Sequence, residues 1–281
     1  VALTQQEKKG VQFMLLSVVG FAFMNLVVKF LYRIPPTELV LFRSIVSLVL
    51  SYYLIKKRKL NPWGVQRKFL FLRGLFGATS LTLFFYTLQK LPIGTAITLQ
   101  YLSPIFTAFF AIFILKEPVR RLQWLFFGLS LIGIILIKGF DPAVTPFMFA
   151  CGIASAIFSG LAYNMIRLVK DTDSAVVVVF YFPLVAIPIM IVFSFYHWVQ
   201  PIGWEWGGLL LMGLLTQFAQ MNMTKALQST ALNKIAGFKY IGILFALSFD
   251  VLLFNITYGW VTLIGIICVV IGVLLNLVSK R

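Results

Sequence analysis

Apolar runs of membrane-crossing length follow one another along the whole chain, separated by short polar stretches. A helix needs about 20 apolar residues to cross a bilayer, with allowance for tilt. On that measure the pattern predicts ten transmembrane helices, at 11–31, 38–55, 69–88, 94–115 and 122–137, then 146–168, 175–198, 207–227, 235–254 and 260–278. No interval between them has room for a soluble domain. The first run is longer than the apolar core of a cleavable signal peptide, so it is read as a transmembrane helix.

The pattern also repeats. Shifted by 139 residues without a gap, the ninth segment, IAGFKYIGILFALSFDVLLF, falls on AITLQYLSPIFTAFFAIFIL of the fourth. Tyr240 then lies on Tyr101, Phe245 on Phe106, Phe249 on Phe110 and Lys239 on Gln100. The same offset aligns Gly74 with Gly213, Leu88-Gln89 with Leu227-Gln228, and Gly133 with Gly272. An offset of 135 aligns Phe23 with Phe158 and Lys29 with Asn164. Each copy holds five helices, an odd number, so the second must enter the membrane from the opposite side. The expected fold is an all-α polytopic membrane protein of ten helices, built as two inverted five-helix repeats at 1–140 and 141–281.

Composition agrees with the spans. Hydrophobic residues make up 60% of the chain and charged residues 11%, values outside the range of soluble domains. The net charge of +16 would suit nucleic acid, but topology accounts for most of it. With the N-terminus inside, only Arg33, Lys90 and Lys138 face out, and most of the 24 Lys and Arg lie in inner loops or tails. Cytoplasmic loops carry that excess, so both termini are expected in the cytoplasm of a cell-membrane protein. Cys151 and Cys268 lie within apolar segments and read as packing residues rather than a disulfide or metal site.

The run Leu91-Pro92-Ile93-Gly94-Thr95-Ala96, then Leu102-Ser103-Pro104, Phe106 and Lys116-Glu117-Pro118, resembles the repeat signature of the EamA-type permeases of the drug/metabolite transporter superfamily. The second copy departs from it, with Ile243 in place of Pro104 and Ile256 in place of Glu117. The resemblance implies a central cavity between the halves and alternating access without ATP. It also implies that Lys239 faces that cavity, and an arginine near Arg43 is common in the family.

Four cations fall inside spans: Lys29, Arg43, Arg73 and Lys239. Ionisable groups at membrane depth usually face a protein interior or a wet cavity. Lys239 reads either as an anion-binding residue or as half of a structural pair. Asp250, eleven residues on, lies on nearly the same face but roughly 16 Å along the axis. It is weighed as a coupling carboxylate against a solvated or interfacially paired outer-end residue. Asn25 and Lys29 share a face at i, i+4, and Lys29 is read equally as a cavity residue and as a snorkelling one. Arg43 stands five residues from Glu38, an awkward spacing for a pair on one helix, so substrate binding competes with support of the fold. Glu38 is the other candidate coupling carboxylate. Arg73 reads most simply as an interface anchor.

Polar stripes recur on other helices. Gln217, Gln220 and Thr224 fall at i, i+3, i+7 with Asn222 nearby, Thr79, Thr82 and Tyr86 repeat the spacing, and Ser155, Ser159 and Tyr163 follow at i, i+4, i+8. Such stripes line wet cavities or hydrogen-bond helices together, and both readings stand. Gln100 and Tyr101, as repeat partners of Lys239 and Tyr240, complete the candidate site residues. Gly128, Gly133, Gly265 and Gly272 offer close helix approaches. His197 sits in an outer loop beside Trp198 and is given no catalytic role.

The expected function is secondary transport of a small organic metabolite, anionic or carboxylate-bearing because intramembrane cations outnumber carboxylates. An amino-acid or neutral metabolite exporter of the same fold is the nearer alternative. A membrane-embedded enzyme is the distant one, since no nucleophile–base cluster stands out and no phosphate-binding loop motif is present. No cofactor and no metal are expected. The expected partners are the substrate, the bilayer, and a coupling proton or counter-substrate, with no nucleic acid, in a monomer or homodimer.

Overall fold

The long apolar runs leave each helix to satisfy its own backbone, since hydrocarbon offers no alternative partner. The structure, a computed structural model, describes residues 5–116, 121–140, 144–229, 238 and 241–278. Among these there is no strand. The first part of the chain forms α1 (Gln5–Phe30), α2 (Pro36–Lys57), α3 (Arg67–Lys90), α4 (Ile93–Gln100), α5 (Ser103–Ile114) and α6 (Arg121–Phe140). The rest forms α7 (Pro146–Leu168), α8 (Ala175–Phe195), α9 (Trp204–Ser229), α10 (Ile241–Phe254) and α11 (Trp260–Val278). Among the described residues six stretches are long and apolar enough to cross a membrane, the pair α4–α5 counting as one at Ile93–Ile114. Trp124–Ile137, Ile241–Phe254 and Trp260–Gly272 are shorter apolar helices.

The fourth predicted helix is therefore two helices in line. Pro104 opens α5, and its ring disfavours helical backbone at the residue before it. The chain tightens into a turn there, with Leu102 N–H bonded to the Leu99 carbonyl at 3.2 Å. Ionic and polar side chains close the other helix ends. Lys29 Nζ donates to the carbonyls of Leu88, Gln89 and Leu91 at 3.2, 3.4 and 2.5 Å, covering the exposed C-terminus of α3. Asp173 accepts from the N–H groups of Val65 and Gln66 at 2.7 and 3.2 Å, at the start of the same helix. Positive charge on terminal carbonyls and negative charge on initial amides both complement the helix dipole.

The main core joins apolar residues of all eleven described helices, including Met24, Leu39, Phe85, Leu99, Ala156, Met212, Ile243 and Val269, all nearly inaccessible. Along its rim α1 packs on α9, α3 on α7, α2 on α8 and α6 on α11. Small residues set these approaches. A methyl group at Gly133 would come within 2.5 Å of the Gly265 carbonyl oxygen, so α6 and α11 touch backbone to backbone. Gly128, expected in the same role, instead faces open space.

Candidate functional site

Between α1, α2, α3, α4, α7, α8 and α9 lies a cavity of about 920 Å³, counted out to its open mouth. Its walls are mostly apolar, and among the described residues the charges in them are two arginines. Arg43 of α2 and Arg73 of α3 are 3% and 5% exposed, and the described lining includes no Asp or Glu. The two guanidinium carbons stand 4.9 and 5.5 Å from the ring centre of Phe182 on α8. A cation over an aromatic face is attracted to the ring quadrupole, by about 2 kcal/mol when desolvated. That offsets only part of the several kcal/mol that each buried ion loses in leaving water. Both Nε atoms are buried without a hydrogen-bond partner.

Arg73 corrects the expectation of an interface anchor. It lies one and a half turns inside α3, on one face with Gly77 and Ser80 at i+4 and i+7, and all three line the cavity. That stripe was readable in the sequence, but nearby Arg67 and Lys68 made a membrane-edge role the simpler reading. Gly77 makes the placement possible, because an added methyl group would overlap the Arg73 guanidinium and stand 3.0 Å from Phe182 Cδ2. Gly77→Ala is therefore expected to displace the arginine and to destabilise the protein by about 1 kcal/mol, the cost of a small overpacking strain. Thermal melting of the purified variant measures it.

Of the residues singled out from sequence, Asn25, Arg43, Gln100, Tyr101, Tyr163 and Gln220 line this cavity. Asn25 Oδ1 and Gln220 Nε2 are buried and unpartnered, on neighbouring α1 and α9. Gln100 is both wall and joint. Its Nε2 donates to Ser159 Oγ at 2.7 Å, its Oε1 accepts from Ser155 Oγ at 2.6 Å, and Ser80 Oγ meets Ser159 Oγ at 2.7 Å. Four polar side chains thus tie α3, α4 and α7 together while satisfying one another. The Tyr101 hydroxyl packs against Gly242.

Other candidates lie elsewhere. Gln217 accepts from Ser47 Oγ at 2.5 Å and donates to Ser51 Oγ at 2.9 Å, joining α9 to α2. Thr224, Thr79 and Thr82 bond back to their own helices four residues earlier. Lys29 holds the carbonyls of α3 described above, so its stripe with Asn25 is divided between two tasks. Glu38, fully buried, accepts the Val199 N–H at 2.6 Å and makes no pair with Arg43. Asp250 is not solvated but fully buried, accepting from Ile93 and Gly94 N–H at 3.0 and 2.7 Å and from the Tyr258 hydroxyl. It caps α4 from across the molecule. Lys239 and Tyr240 lie outside the described residues. Phe182, which holds both arginines, was not singled out. A phenylalanine among 29 carries no signal of its own.

The family model of the EamA-like transporters matches residues 8–139 and again 147–278. The chain belongs to the EamA-like transporter family. It is similar to the pseudopaline exporter CntI of Pseudomonas aeruginosa, 30% identical over 90% of this chain and 87% of that one. Solute carrier family 35 member G1 of Mus musculus is 28% identical over 94% and 76%. An S-adenosylmethionine uptake transporter of Rickettsia prowazekii is 23% identical over 97% and 93%. A solved crystal structure matches with a TM-score of 0.71 over 98% of each chain at 15% identity, a likeness of fold alone. This EamA-family protein is thus a multi-pass membrane transporter rather than an enzyme.

Proposed function

We propose that this EamA-family transporter carries an anionic, carboxylate-bearing organic metabolite through the Arg43–Arg73 cavity by alternating access. One observation carries the reading: two buried guanidiniums share the ring of Phe182 in a cavity whose lining, among the described residues, includes no carboxylate. Such a site has positive potential and unused donors, and a carboxylate supplies both the charge and the acceptors. The anionic expectation therefore stands on Arg43 and Arg73, with Lys29 replaced as a contributor.

Alternating access needs two halves that rock about a shared site, and contacts that exchange under the repeat offset support inverted repeats at 1–140 and 141–281. A methyl group at Gly74 would lie 2.7 Å from Val185 Cβ, and one at Gly213 would lie 2.7 Å from Val46 Cβ. Adding 139 turns the first pair into the second with the halves exchanged. Gly133 against the Val269 nitrogen and Gly272 against the Ser130 nitrogen, at 2.8 and 2.9 Å, are related in the same way. The offset also carries Arg43 onto Phe182, so the cation and its ring are repeat partners that meet. The excess of Lys and Arg in the loops read as inner supports a cytoplasmic position for both termini.

Flux into liposomes containing the purified protein tests the reading. Organic acids are expected to be carried and to be lost as substrates in Arg43→Gln. Carriage of guanidinium or quaternary amines, with organic acids ignored, would refute it.

A further inference from the structure

Resting on that anion reading, we infer that the cavity is built for a dianion, one substrate molecule whose two negative charges answer Arg43 and Arg73 together, with an uncharged polar remainder against Asn25 and Gln220. Charge balance carries the inference. The described carboxylates are all engaged elsewhere or exposed. Glu38 holds the Val199 N–H, Asp173 the N–H groups of Val65 and Gln66, Asp250 those of Ile93 and Gly94, and Glu205 pairs with Arg33. Asp171 is exposed in a loop. None of them lines the cavity, so among the described residues neither arginine has a counter-charge there.

Geometry keeps the two charges a single target. Each guanidinium stacks on Phe182, which bounds the distance between their carbons at about 10 Å, within reach of one small molecule. A monoanion neutralises one guanidinium and leaves the other buried, unpaired and repelled by its neighbour. A dianion removes both penalties. The described lining on α1 and α9 carries no charge. Asn25 and Gln220 present unpartnered amide atoms that hydrogen-bond a hydroxyl or amide, but they supply no counter-charge for an ammonium group. A dicarboxylate and a phosphate monoester share this chemistry.

The test is a charge ladder on the wild-type protein in detergent, read by thermal shift and titration at constant ionic strength. Succinate is compared with its monomethyl ester, and methyl phosphate with dimethyl phosphate, each pair differing by one charge on nearly the same frame. At least one dianion is expected to bind roughly tenfold or more tightly than its singly charged methyl ester. The pair that shows the preference identifies carboxylate or phosphoryl as the group read. In Arg43→Gln and Arg73→Gln the preference is expected to vanish, and in Arg33→Gln, at the outer loop, to persist. Equal affinity within both pairs overturns the dianion while leaving the anion reading intact. Binding of uncharged or cationic metabolites with none of the four anions overturns both. The comparison of wild-type affinities decides the matter even if an arginine variant does not fold.

Discussion

Arg73→Met is expected to raise the thermal stability of the empty protein while removing the anion binding proposed for it. Arg73 is 5% exposed, has an unpartnered Nε, and shares Phe182 with a second cation. A buried charge without a counter-charge opposes folding, and replacing buried ions by apolar groups of similar size is stabilising by about 1–4 kcal/mol. Methionine is flexible enough to fill the guanidinium's place beside Phe182. Removing one partner of a desolvated charge pair costs the complex about 2–5 kcal/mol, so affinity should fall by two to three orders of magnitude. Melting in detergent and flux in liposomes measure the two effects on the same preparation. Opposite movement of stability and function is the mark of a residue kept for its ligand. A melting point lowered by several degrees, with the ligand shift retained, would instead make Arg73 a strut of the fold.

The second large effect is expected at Asp250, in the opposite sense. Asp250→Ala strips the N-terminus of α4 of an acceptor for two buried N–H groups and for Tyr258. Unsatisfied buried donors cost about 1–3 kcal/mol each, so a loss of roughly 2–5 kcal/mol is expected. The corner from Leu88 to Gly94 is held from both sides, by Lys29 on the carbonyls of α3 and Asp250 on the amides of α4. At a temperature where the variant stays folded, its anion affinity and the pH profile of its flux should match wild type. Should flux lose its response to a proton gradient while melting is unchanged, Asp250 would be a coupling carboxylate and the capping role would fall.

These two residues show where sequence reading stopped. Arg73 and Asp250 both read as charges within apolar spans, and the structure buries both, Arg73 in the cavity wall and Asp250 on the amides of α4. Hydropathy could not rank them. In a soluble helix the polar face points to water and the apolar face to the core, but a membrane helix is apolar on both faces, and periodicity loses its direction. The polar stripes show the same limit. Gln217 and Gln220 are one turn apart on α9, and one joins helices while the other faces the cavity. Three residues of spacing rotate a side chain by a large part of a sector, and the neighbour it then meets belongs to a distant part of the chain.

What the chain by itself determined is the class of molecule. Runs of apolar residues long enough to cross hydrocarbon must be helices there, because no other local structure satisfies the backbone, and the LPIGTA and LSP signatures with their 139-residue echo led to the EamA family. What only the tertiary structure decided is which charges are free. An ionisable side chain is available to a ligand when nothing else in the fold reaches it. The carbonyls that hold Lys29 lie some 60 positions away and the amides that hold Asp250 more than 150. Among the described residues the packed helices bring Phe182 and no carboxylate to Arg43 and Arg73, which leaves two guanidiniums in the cavity wall without a counter-charge.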